Sequence, residues 1–364
     1  MRIAFVTPAY YPAIIGASLY CQTLASGLTK LGHEVDVFSN APPNLEKEET
    51  VNGIKIRRFY PKTVGNYYIS KGMLKALLKE RYDIIHSHHF GYYPATAGLI
   101  AAKLKKTKHV FGPYYHPPIY GTKRWLMFSA YHLTQGLPII RFSERVLPHT
   151  EAEKKLLLKV GGKEDNMELL PNTVDTYKFK PLKMEKGNIV LFVGNFISEK
   201  GADVAFDIAE KMIQERKDVR FVFIGNPIDH KLLHKIEKLR QTGKALFLKN
   251  LSENELIKWY NKSSVIIFPS KYEAFGKVIA EAQACGTPAI VTKVGGLPEV
   301  VEDKKAGFLV DYGDWASMKE KIEFFLDNPS IAKRMGLNGK NFVKNHFDEK
   351  LIVKKLGKIY DGLA

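Results

Sequence analysis

The sequence predicts an α/β protein built from two doubly wound domains. Three observations carry this reading. Short apolar strands alternate with helices along most of the chain, the signature of βαβ units and a parallel sheet. The alternation restarts with "NIVLFVGN" after the stretch "NTVDTYKFKPLKMEKG". The length of 364 residues exceeds one ordinary core, given about 150 residues per domain. No repeat at the short periods of solenoids or propellers is present.

The elements follow in order. "RIAFVTPA" reads as a strand, "YYPAIIGA" as a loop, "SLYCQTLASGLTKLG" as a helix and "HEVDVFSN" as a second strand. The first apolar run breaks at Pro8, so it is a strand and not a signal peptide. "YISKGMLKALLKERY" reads as a helix, and "YDIIHSHH" and "KHVFGPYYH" as strands. A helical stretch begins near residue 122, and "ERVLPHT" and "MELLPNTVD" read as short strands. The charged, Pro-bearing stretch 176–187 is the expected linker. It sets an N-terminal domain over 1–175 and a C-terminal domain over 176–346. In the second domain "NIVLFVGN", "VRFVFIGN", "ALFLKN" and "SVIIFPS" are strands separated by helices. The tail 347–364 is amphipathic, with Leu351, Ile352, Leu356, Ile359 and Tyr360 on one side, and is expected to pack back on the first domain.

Composition narrows the class. Hydrophobic residues make up 45% and charged residues 26%, as in soluble globular proteins. No apolar run approaches the ~18 residues of a membrane span. The two cysteines, Cys21 and Cys285, are far apart, which argues against a disulfide framework and for a reducing cytoplasm. The formal charge of +17 should attract polyanions or phosphorylated molecules.

Five constellations carry chemistry. In "PSKYEAFGKVIAEAQACGTPAIV" Glu273 precedes a helix that starts at Gly276, and Glu281 lies within that helix. The N–H groups at such a helix start, near Phe275, Gly276 and Lys277, can receive a phosphate. The bland alternative is a dipole-complementing glutamate and a surface glutamate. In "LFVGNFISEKGAD" a strand ends at Gly194, and Lys200 sits before a helix, where it can neutralise phosphate. This is neither a Walker nor a dinucleotide motif; alone it equals an ordinary βα loop. Gly16 precedes the first helix and can let a ligand approach, or is a plain turn glycine. His116 ends a predicted strand, where open sheets place ligands. His86, His88 and His89 crowd together, but alternation puts His89 on the opposite face and no carboxylate cluster accompanies them, so a metal is disfavoured. Finally, Lys71, Lys75, Lys79 and Arg81 surround Met73, Leu74, Leu77 and Leu78. Lys123 and Arg124 adjoin Trp125, Met127 and Phe128. Such mixtures suit an anionic membrane surface, or are core-packed helices with solvated lysines.

Taken together, these residues resemble the retaining GT-B glycosyltransferases of family four, along nearly the whole chain. The family's Glu, seven residues, Glu segment matches Glu273, Phe275, Gly276, Glu281, Ala282, Gly286 and Pro288. Val294 to Glu299, the "GFLV" of 307–310 and the "NTVD" of 172–175 match further landmarks. The resemblance implies two Rossmann-like domains facing a cleft. It implies transfer of a sugar, with retention, from a nucleoside diphosphate sugar to a hydroxyl of a glycan or lipid-linked acceptor. No cofactor or metal is implied. By resemblance, His116 and Glu273 act at the reacting centre. Gly16, Asn195, Lys200, Phe275, Gly276 and Lys277 border the donor diphosphate and sugar. Glu281 holds the ribose, and Leu251 is the nucleobase candidate. Asn195 departs from the family's usual arginine, which shifts charge neutralisation toward Lys200 and the helix dipole.

Two other classes compete. A nucleotide-sugar epimerase on the same scaffold would lack the full glutamate segment. A non-enzymatic polyanion binder fits the charge, but no nucleic-acid module is recognisable. The expected setting is therefore cytoplasmic, with the cytoplasmic membrane face as a candidate contact and no nucleic-acid partner.

Overall fold

The computed structural model describes residues 1–13, 16–64, 67–115 and 128–363. The chain divides into unit 1, Met1–Thr173 with Glu349–Ala364, and unit 2, Val174–Asp348.

Unit 1 contains β1 (Arg2–Thr7), β2 (Glu34–Asn40), β3 (Glu48–Val51), β4 (Ile54–Phe59), β5 (Lys62–Val64), β6 (Tyr67–Ile69), β7 (Ile84–His88), β8 (Lys108–Gly112) and β9 (Arg145–Val146). Seven of them form a sheet in the order β3-β4-β2-β1-β7-β8-β9, parallel except for β3 against β4. Strand β1 shows why both faces are covered. Ile3 and Phe5 join a core with Val35, Val37 and the helix Gly16–Lys30. Ala4 and Val6 join a different one with Phe38 and Ile85. The two-residue period thus feeds two apolar layers, as a buried parallel sheet requires.

The helix Glu349–Asp361 completes the first of these cores with Ile352, Val353, Leu356, Ile359 and Tyr360. It lies so close to the first helix that a Cβ on Gly27 would stand 2.5 Å from Val353 Cγ2. Leu351, expected on the same side, is exposed.

Unit 2 contains β10 (Ile189–Val193), β11 (Arg220–Ile224), β12 (Ala245–Leu248), β13 (Val265–Phe268), β14 (Ala289–Thr292) and β15 (Gly307–Val310). All are parallel, in the order β12-β11-β10-β13-β14-β15. Strand order reverses between β1 and β7 in one unit and between β10 and β13 in the other. Those reversals are the topological switch points at which open sheets bind ligands.

Several local expectations need correction. "MELLPNTVD" makes only isolated bridges, at Met167 and Val174, because Pro171 interrupts its N–H ladder. Tyr67–Ile69 pairs as β6, so the following helix is confined to Met73–Lys79 after Gly72. The segment 48–59 is a hairpin that turns on Asn52-Gly53, both at positive φ, a geometry this dipeptide favours.

Candidate functional site

The site of unit 2 assembles at the β10/β13 switch point. After β10 the chain forms a short 3-10 turn, Ser198–Lys200, closed by Gly201. Gly201 has a φ of +73°, and a Cβ there would stand 2.0 Å from the Pro269 carbonyl oxygen. Glycine is thus required twice over. It lets the β10 loop lie against the loop after β13. Ser270 Oγ and the Lys271 N–H both donate to the Glu199 carbonyl, at 2.8 and 3.0 Å. The result is that Lys200 Nζ donates to Glu273 Oε2 at 2.7 Å, joining the two loops across the switch point.

Glu273 is fixed from its other side by "VGG". The Gly296 N–H donates to the Glu273 carbonyl at 2.9 Å. Gly295 approaches so closely that a Cβ would stand 1.9 Å from that same oxygen. Next comes the helix Lys277–Ala284, entered through Gly276 at a φ of +97°. Its first N–H groups have no partner within the helix, and they carry the positive end of its dipole. Phe275 is buried, with its ring edge-on to Phe347 at 5.0 Å, so it anchors the loop and offers a ligand only its backbone.

Glu281 lies in the second turn of that helix and is buried. Its carboxylate accepts a hydrogen bond from Tyr260 Oη at 3.0 Å. Burial pushes the carboxyl up to about 7, opposed by the Lys277 charge and the tyrosine hydrogen bond. Tyr260 was not foreseen. It sits on the buried side of the helix Glu253–Lys262, and its sequence signal is that of any core aromatic. Asn195 is exposed just past β10, and Leu251, half-buried against the core, follows β12.

In unit 1, Gly16 starts the first helix, and a Cβ on it would meet nothing within 4 Å. Packing does not demand this glycine. His116, Lys123, Arg124, Trp125 and Met127 lie outside the described residues. His86 and His88 share a face, with ring centroids 4.1 Å apart. They form a buried cluster with His149 in which, among the described residues, the three Nε2 atoms have no hydrogen-bond partner. Burial holds all three, and His109, neutral well below the usual histidine range. Among the described residues no three His, Cys, Asp or Glu side chains gather as metal ligands.

Of the two readings of the helix Met73–Lys79, a membrane-facing apolar side or a core-packed one, the structure has the core-packed one. Met73 and Leu77 are fully buried against Phe38, Ala97 and Ala101, with Leu74 and Leu78 packed alongside. Only its lysines remain for solvent. No helix among the described residues is long and apolar enough to cross a membrane.

Two family models match this chain. "Glycosyl transferases group 1" matches residues 173–342, and "Glycosyltransferase Family 4" matches residues 14–178. A glycosyltransferase of uncharacterised activity from Methanocaldococcus jannaschii is 28% identical, over 98% of this chain and 97% of its own. The D-inositol 3-phosphate glycosyltransferase of Acidothermus cellulolyticus is 26% identical, over 96% of this chain and 86% of its own. Among solved structures, Anabaena HepE in complex with UDP superposes with a TM-score of 0.80 at 18% identity, covering 100% of both chains. The sucrose-phosphate synthase of Thermosynechococcus elongatus gives 0.79 at 20% identity, covering 100% of this chain and 98% of the other.

Proposed function

Because the chain belongs to the group 1 glycosyltransferases and has their GT-B fold, we propose that it transfers a sugar from a nucleoside diphosphate sugar to an acceptor hydroxyl on a glycan or lipid-linked molecule. The observation that carries this reading is the Lys200–Glu273 pair beside a helix N-terminus at the switch point.

Cleavage of the sugar–phosphate bond builds negative charge on the departing diphosphate. Lys200 and the N–H groups at the start of the helix Lys277–Ala284 stabilise that charge where it develops. They supply the positive charge that a divalent metal would otherwise bring, so the reaction is metal-independent. Asn195 adds a hydrogen-bonding amide without charge, which places more of the burden on Lys200. A diphosphate drawing Lys200 toward it frees Glu273 to accept hydrogen bonds from the sugar hydroxyls. Glu281, with Tyr260 behind it, accepts from the ribose, and Leu251 borders the base. His116 and Gly16 are the residues of unit 1 to which the family resemblance assigns roles at the reacting centre and the diphosphate. The anomeric configuration is retained, with the acceptor attacking from the face the diphosphate leaves.

The UDP complex of Anabaena HepE makes uridine nucleotides the first donors to test. A thermal-shift screen of UDP-, GDP- and ADP-sugars should find at least one that raises the melting temperature, with and without a chelator. Lys200→Ala and Glu281→Ala should remove that shift. If no nucleotide-sugar stabilises the wild type, the reading fails.

A further inference from the structure

We infer that Phe347 is a positioning residue of the donor loop 273–276, and that it couples this loop to the two crossings where the chain passes between units. The role deepens the proposed donor reading and rests on it. The chain leaves unit 1 after Thr173 and returns to it at Glu349. Within unit 2 the residues beside these two crossings are bonded to each other. The Val174 N–H donates to the Phe347 carbonyl at 2.8 Å. Val174 also forms a parallel bridge with Asp348, and Thr176 Oγ1 donates to Asp348 Oδ2.

Phe347 meets the donor loop at the same point. Its ring stands edge-on to Phe275 at 5.0 Å and to Phe342 at 5.6 Å. Both Phe347 and Phe275 are buried. The Phe347 N–H donates to the Val343 carbonyl at 2.8 Å, closing the helix Pro329–His346. One residue thus holds a helix end by its N–H, the first crossing by its carbonyl and the donor loop by its ring.

The loop is blocked on its other side. Gly295 abuts the Glu273 carbonyl, and a Cβ on Gly276 would stand 2.7 Å from Leu297 Cδ2. A diphosphate that draws on the N–H groups of 275–277 therefore displaces the Phe275 ring along with its backbone. A close-packed interior does not absorb such a shift. It passes to Phe347, and through the Phe347 carbonyl to Val174. Coupling between two sites is reciprocal, so loosening the crossing must loosen the loop. An edge-on aromatic pair sets the size, about two- to tenfold in an equilibrium. A Phe347 that only filled space would leave loop and crossing independent.

Amide exchange of the full chain, read by NMR, tests this. The Ile279 and Ala280 N–H groups donate to the Gly276 carbonyl and the Gly296 N–H to that of Glu273, so their exchange reports opening of the loop. Without ligand, Thr176→Val, which touches only the crossing, should speed exchange at these amides about threefold relative to those of β11, which report global opening. Phe347→Leu should speed it at least as much, and the double variant should add nothing further. With UDP, GDP or ADP bound, the Val174 amide should exchange about threefold more slowly in the wild type and not in Phe347→Leu, while calorimetry still detects the nucleotide. Loop amides that ignore Thr176→Val, additive effects of the two variants, or a bound nucleotide that leaves wild-type Val174 unchanged would overturn the proposal. The donor reading fails separately, when no nucleotide binds while the ligand-free coupling persists.

Discussion

Lys200 and Glu273 share a hydrogen bond of 2.7 Å, and each has a second use in the proposed reaction. The pair is partly open to solvent, with side-chain exposures of 34% and 16%, so it is worth less than about 1 kcal/mol to the fold. Lys200→Ala should therefore leave the melting temperature nearly unchanged while kcat falls about 10²–10³-fold, the cost of one charge-stabilising donor. Glu281 makes the contrasting case. Its carboxyl, raised by burial to about 7, must be ionised to accept from two hydroxyls at once. Nucleotide affinity should then rise as pH is raised from 6 to 8, by about tenfold per pH unit below the midpoint, and Glu281→Gln should flatten the profile. Isothermal titration across that range checks both. Lys200, Glu273 and Glu281 were marked by the family's glutamate segment and its companion loop, since read alone their letters fit an ordinary βα loop and a capped helix equally well. Tyr260 was not, because a tyrosine that holds a carboxylate and one that fills a core are written alike.

At the scale of elements, the glycines separate into two kinds. Gly295 is positive in φ and abuts the Glu273 carbonyl. Gly295→Ala should therefore destabilise unit 2 by about 2–3 kcal/mol and displace Glu273, lowering both kcat and denaturation midpoint. Gly16 has open space where a side chain would go. Gly16→Ala should leave stability intact, so any rise in KM for the nucleotide-sugar reports a ligand's need for that space. Fold class was readable from periodicity, through strands alternating with helices and a second start of that alternation, and the tail's amphipathic side called for a covering surface without saying which. The β3–β4 hairpin was announced by Asn52-Gly53 and passed over, since its short strands carry more charged than apolar residues. The membrane reading of the helix Met73–Lys79 went astray for a related reason. An amphipathic pattern does not say whether protein or lipid covers the apolar side.

For the whole molecule, the two units should respond to acid in opposite directions. In unit 1 His86, His88, His109 and His149 are held neutral by burial, below their unfolded value of about 6.5. The unfolded chain binds more protons there, so their contribution is present above pH 6.5 and is lost as pH falls, at roughly 1.4 kcal/mol per histidine per pH unit. In unit 2 the Glu281 carboxyl is raised, so its contribution is present at acidic pH and is lost as pH rises through about 7. Scanning calorimetry between pH 7.5 and 5 should show a melting component that moves to lower temperature, while another holds or rises. His149→Phe should reduce the acid sensitivity of the first alone.

The helix Glu349–Asp361 belongs to the core of unit 1, yet unit 2 stands between it and the rest of that core in the chain. This has a consequence for biosynthesis. Unit 2 is continuous and can close as soon as it leaves the ribosome. The earlier segment must wait for Val353, Leu356 and Tyr360, roughly 10–35 s at 5–20 residues per second. Throughout that interval the helix Gly16–Lys30 presents the bare groove at Gly27 that Val353 will fill. The part translated first is thus the part completed last, and a nascent chain stalled before residue 349 is the species on which chaperones would act.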